Sequence, residues 1–106
     1  MAPVTASLSP AGKRYPDVQE RSVTIINKLG LHARAAAKFV TTASSFSSKV
    51  DLSRNGQQVN GKSIMGVMML AASRGTEVVI TTQGSDEVEA ADSLVELVEN
   101  RFGEQE

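Results

Sequence analysis

His32 is the only histidine in a chain of 106 residues that contains no cysteine. It stands in Asn27–Val40, NKLGLHARAAAKFV, between a glycine-punctuated turn and an alanine-rich run that favours helix. A histidine that caps a helix lies beside first-turn N–H groups that have no intrahelical partners. With His32 as the cap, Ala33, Arg34 and Ala35 fill that turn. The amides of Ala33 and Arg34, with the positive end of the helix dipole, then form an anion site next to the imidazole. Helices commonly place an acid in this turn; here Arg34 stands there, and its guanidinium fork suits phosphate oxygens. The same positive field disfavours imidazolium, so His32 is expected to be neutral and nucleophilic near neutral pH. A nucleophile held against preorganised anion donors is what phosphoryl transfer requires. The competing reading is a plain capping or surface histidine. Hydrolysis is poorly supported, because no carboxylate in the local sequence could orient the ring as in a triad.

The elements that must position this residue follow from periodicity and turn chemistry. SVTIIN (Ser22–Asn27) is β-branched, with Val23 and Ile25 on one face, and reads as a strand. Gly30 marks a turn, and a helix is predicted over Ala33–Ser44 with Ala36, Phe39, Val40 and Ala43 as its apolar stripe. KVDLSR alternates and is followed by Asn55-Gly56, a strong hairpin signal, so that QQVNG is the returning strand. SIMGVMMLAA (Ser63–Ala72) is predicted as a short helix with Ser63 as N-cap, and TEVVITT as a further strand. Asp86 and Glu89 have capping-box spacing ahead of a last helix whose stripe is Val88, Ala91, Leu94, Val95, Val98 and Phe102. Strand, helix, strand, strand, helix, strand, helix implies a two-layer α/β open-faced sandwich, with three helices covering one face of an at least partly antiparallel sheet.

Residues 1–19 hold all three prolines and show no apolar period, so they are expected to form a flexible extension ahead of a single domain over 20–106. Arg21 to Val50 carries five basic residues and no acid, whereas Asp86 to Glu106 holds eight acids against Arg101. Five scattered cations are too few to suggest nucleic acid, and the field around His32 should instead attract a small anion. One histidine without cysteine argues against a transition-metal site, and no cofactor motif is present. No run approaches the ~18–20 apolar residues of a membrane span. The lack of cysteine suits a reducing cytoplasm.

GLHARAAAKFV and GKSIMGVMMLAA, with this element order, closely resemble HPr, the histidine-containing phosphocarrier family of the bacterial phosphotransferase system, over roughly Arg21–Phe102. The resemblance implies the HPr-like fold, a four-stranded antiparallel sheet with three helices on one face. It also implies a monomeric cytoplasmic carrier, not an enzyme, that takes a phosphoryl group from enzyme I on Nδ1 of a histidine and passes it to enzyme IIA domains. His32 matches that histidine and Arg34 the arginine that assists it. Ser63 matches the serine that HPr kinase/phosphatase modifies in some bacteria. Ile64, Met65 and Met68 match the family's docking patch, which suits a segment apolar nearly all round and rich in adaptable methionine; Val67 and Leu70 are left to the core. Ala35 departs from the family's usual proline, which puts the rigidity of the first turn in question. The resemblance extends to regulatory and nitrogen-related members as well as sugar-importing ones. A purely regulatory interaction module controlled through Ser63 is the alternative.

Overall fold

The computed structural model describes residues 18–106. Its elements are β1 (Val18–Thr24), α1 (Ala33–Ser44), β2 (Lys49–Arg54), β3 (Gln57–Asn60), α2 (Ile64–Met69), β4 (Glu77–Gln83) and α3 (Glu87–Glu99), followed by a 3₁₀ turn at Arg101–Gly103. The sheet order is β1-β4-β2-β3, and every neighbouring pair is antiparallel. Burial alternates along the strands, so Val50 and Leu52 on β2 and Val78 and Ile80 on β4 point into one core. Phe39 of α1, Val67 of α2, and Leu94 and Val98 of α3 close over that face, giving the expected open-faced sandwich.

The hairpin between β2 and β3 forms where expected: Asn55 and Gly56 both have positive φ, 51° and 81°, and Arg54 pairs with Gln57. The first strand lies earlier than Ser22–Asn27. It opens at Val18, so Val18 and Gln19 of the stretch 1–19 pair with Gln83 and Thr82, while residues 1–17 lie outside the described residues. Polar residues on both faces hid this start from the sequence. Arg21, half-buried toward α3, is satisfied by Gln19 Oε1 at 2.7 Å and Asp92 Oδ1 at 3.2 Å.

The other helices differ from expectation at their ends. α2 stops at Met69 rather than Ala72, because Ala71 adopts φ 51° and Arg54 donates to the carbonyls of Leu70 (2.7 Å) and Ala71 (3.2 Å). Asp86 does not cap its own helix. Its carboxylate accepts from the amides of Ser47 (3.0 Å) and Ser48 (2.9 Å) and from the Ser48 hydroxyl. The buried stripe of α3 is Ala90, Ala91, Leu94 and Val98, with Val88 left exposed. Phe102 is fully buried, but beyond the helix.

Candidate functional site

α1 spans Ala33–Ser44 as predicted, and Ala35, Ala36, Phe39 and Ala43 anchor it in the core. Its position is fixed from the preceding loop. Gly30 has φ 68°, and a Cβ there would sit 2.6 Å from the Ala72 carbonyl oxygen, so no larger residue fits. Leu31, buried, donates its amide to that same oxygen at 2.9 Å, which joins the His32 loop to the segment following α2.

His32 is extended (φ −75°, ψ 179°) and is the N-cap: its Nδ1 accepts from the Arg34 amide at 3.3 Å. The first intrahelical bond runs from Ala36 N–H to His32 C=O at 2.8 Å, so the amides of Ala33, Arg34 and Ala35 stand outside the ladder. With alanine at position 35 the helix still starts at Ala33, and Ala35 is fully buried. Ala33 and the exposed Arg34 line a cleft of about 640 Å³ together with His32, Lys28 and Leu29, closed on its other side by Glu104, Gln105 and Glu106.

That last wall corrects the sequence reading. The surroundings of His32 are free of acids along the chain but not in space, and a carboxylate does orient the ring: Glu104 Oε2 lies 2.5 Å from His32 Nε2. Glu104 Oε1 accepts from Asn27 Nδ2 at 3.0 Å, and the same nitrogen donates to Gly30 C=O at 2.9 Å. Glu106 pairs with Lys28 through its side chain (3.3 Å) and through a backbone bond. Burial pushes the Glu104 carboxyl up, but the bonds from Asn27 and His32 and the charge of Arg34 outweigh it and hold the group below the usual glutamate value. Glu104 is 72 residues from its partner, and nothing local announces it.

The other expected residues sit on α2. Ser63 caps it, its Oγ accepting from the Gly66 amide at 3.0 Å. Ile64, Met65 and Met68 are exposed, and Met69, assigned no role from sequence, is 65% exposed beside them; Val67 and Leu70 are buried. Arg34 and Ser63 thus stand at the starts of different helices, which pack against each other. Among the described residues no cluster of three His, Cys, Asp or Glu side chains is placed to hold a metal, and no helix is long and apolar enough to cross a membrane.

The comparisons with known proteins agree on a family. The model of the PTS HPr component phosphorylation site matches residues 19–100. The phosphocarrier protein HPr of Cupriavidus necator is 61% identical over 87 residues, covering 82% of this chain and 98% of its own. Among solved structures, HPr-C-His from Thermoanaerobacter tengcongensis superposes with a TM-score of 0.80 at 49% identity, covering 83% of this chain and 99% of its own. An HPr dimer from the same organism gives 0.66 at 51% identity, covering 77% and 94%.

Proposed function

This chain belongs to the HPr family and is a phosphocarrier, and on that premise we propose that His32 carries the phosphoryl group on Nδ1. The observation that supports the reading is the position of Nδ1 at the opening of α1, 3.3 Å from the Arg34 amide. In the loading step the Nδ1 lone pair attacks phosphorus, the bond to the donor breaks, and the donor keeps its electron pair. The three phosphoryl oxygens then face amides outside the helical ladder, those of Ala33 and Arg34, with the Arg34 guanidinium free to approach from the cleft wall. At 3.3 Å the Arg34 amide binds the nitrogen weakly, so it can pass to an incoming oxygen at little cost.

The donor is enzyme I and the acceptors are enzyme IIA domains. They engage the exposed apolar surface of Ile64, Met65 and Met68, where methionine can refit to more than one partner. Ser63 is a site of regulatory phosphorylation by an HPr kinase/phosphatase; to be modified, its hydroxyl gives up the Gly66 cap, and the product places negative charge at the base of the docking helix. A kinase assay with Ser63→Ala checks this role, and undiminished labelling excludes it. The protein acts as a monomeric, stoichiometric carrier in the cytoplasm.

Incubation with enzyme I and phosphoenolpyruvate tests the central assignment. Acid-labile phosphate should appear on the protein and be absent from His32→Ala. Labelling of the variant at the original level rejects His32 as the acceptor.

A further inference from the structure

We propose that Glu104 is a positioning residue for phosphoryl transfer: aligned by Asn27, its carboxylate holds a proton on Nε2 of His32, so that Nδ1 presents the lone pair that binds phosphorus. This rests on the reading of His32 as the phosphoryl acceptor. The ring's two nitrogens face opposite kinds of partner. Nδ1 faces an N–H, that of Arg34, and so acts as an acceptor. Nε2 faces a carboxylate oxygen at 2.5 Å and so acts as the donor. Both contacts select the same tautomer of the neutral ring.

The carboxylate is itself held from behind. Asn27 is fully buried and spends its side-chain amide on two acceptors, Gly30 C=O and Glu104 Oε1, which fixes which way that amide points. The tail reaches the site through a built turn. Arg101, Phe102 and Gly103 all have left-handed φ (58°, 56° and 78°), Phe102 is buried in the core, and Lys38 Nζ donates to its carbonyl at 2.7 Å. The Glu104 side chain is only 13% exposed, unlike that of Glu106, which is 74% exposed and answers Lys28. A solvated ion pair would hold the ring loosely; a carboxylate bound on both oxygens and largely shielded from water does not let it turn.

The proton on Nε2 serves both directions of transfer. On loading, Nδ1 donates its lone pair to phosphorus while Nε2 keeps its hydrogen, and Glu104 stabilises the positive charge that the ring acquires. On discharge, the electron pair of the P–N bond returns to Nδ1. With Nε2 still protonated, the group that leaves is neutral imidazole, a far better leaving group than imidazolate. No proton need be exchanged with solvent in either step.

Glu104→Gln gives the sharpest test. Asn27 still presents an N–H toward Oε1, so the new amide NH₂ is directed at Nε2, where a donor now opposes a donor. The proton should move to Nδ1, visible in the ¹⁵N shifts of the unloaded protein. Transfer in both directions should fall at least about tenfold, as expected when a histidine is held in the wrong tautomer. Glu104→Asp, which keeps the carboxylate, should retain the Nε2–H tautomer and recover part of the rate. A Glu104→Gln protein that keeps the proton on Nε2, or that transfers at the original rate, overturns the proposal. So does equal slowing of both variants with an unchanged tautomer, the result of a merely structural role. If the unaltered protein takes no phosphate on His32, the reading of the site fails and this proposal with it. Transfer through His32 that is indifferent to Glu104 removes the proposal alone.

Discussion

At the start of α1, an imidazole nitrogen accepts from an amide at 3.3 Å; at the start of α2, the Ser63 hydroxyl accepts from another at 3.0 Å. Both caps are extended residues, neither helix has an acid in its first turn, and the two helices pack together. The difference lies in what each helix spends on the core. α1 has twelve residues and buries four of them completely, so its first turn is held still against the sheet. α2 has six and buries Val67 alone, which leaves Ile64, Met65, Met68 and Met69 facing solvent. On the proposed reading the rigid start is the one used for chemistry, because donors help a transferring group only if they need not reorganise when it arrives. Recognition of several partners is better served by the loose one.

The division can be broken most sharply at Arg34. Arg34→Ala removes a charge from the cleft and leaves the backbone amide in place. Phosphoryl transfer should fall by about 10²-fold, comparable to the loss of one preorganised anion donor. The exposed side chain makes no packing contact in the core, so the unfolding free energy should change by no more than about 0.5 kcal/mol. Stopped-flow transfer from enzyme I with parallel urea titration separates the two; a comparable loss in both would mean that Arg34 is structural. On α2 the expected pattern is binding without chemistry. Met65→Ala with Met68→Ala should weaken enzyme I binding about tenfold, the scale of one or two interface anchors. At saturating partner the rate of transfer should stay within about twofold, because neither residue touches the phosphoryl group. A rate deficit that saturation does not cure contradicts the division.

How much of this arrangement the chain announces depends on distance along it. The α1 boundaries and the cap at His32 were legible because alanine propensity, Gly30 and the apolar stripe agree within a dozen residues. The Asn55-Gly56 hairpin was legible for the same reason and gave the β2–β3 pairing, whereas the place of β4 between β1 and β2 rests on pairings far apart along the chain. The start of β1 was not, since Gln19 and Arg21 turn toward the helices with polar partners of their own and break the alternation. Val88 misled in the opposite sense: it fits a helical stripe by spacing but lies one position past Glu87, which occupies the buried face with Ala90, Ala91, Leu94 and Val98. Glu104 was invisible from sequence. Its contact with His32 depends on three successive left-handed residues after α3, two of them not glycine, a conformation that only the burial of Phe102 and the bond from Lys38 make worthwhile. A lopsided charge distribution was the one hint, and a solvated acidic helix was the simpler account of it.

The third helix start sharpens the comparison by contrast. Asp86 stands where a cap belongs, but its carboxylate reaches out to Ser47 and Ser48, in the loop after α1, and so tethers the end of that helix remote from His32. The Ser48 hydroxyl foremost, with the Ser47 amide next, lowers the Asp86 carboxyl to about 2. An unfolded aspartate titrates near about 3.9, so the folded state binds this proton less readily than the unfolded one. The stabilisation is therefore fully present above about pH 4 and is lost as the pH falls toward about 2. Asp86→Asn cannot titrate and can accept through only one oxygen. Its urea midpoint should lie below that of the parent at neutral pH, and the gap should close on acidification across this window. A gap that stays constant down to pH 2 would mean that the deficit does not come from the charge of the Asp86 carboxylate, and no gap at neutral pH would mean that the serines bind an amide oxygen as well as a carboxylate. Activity at neutral pH should move least of all, because the tether acts on the end of α1 remote from His32.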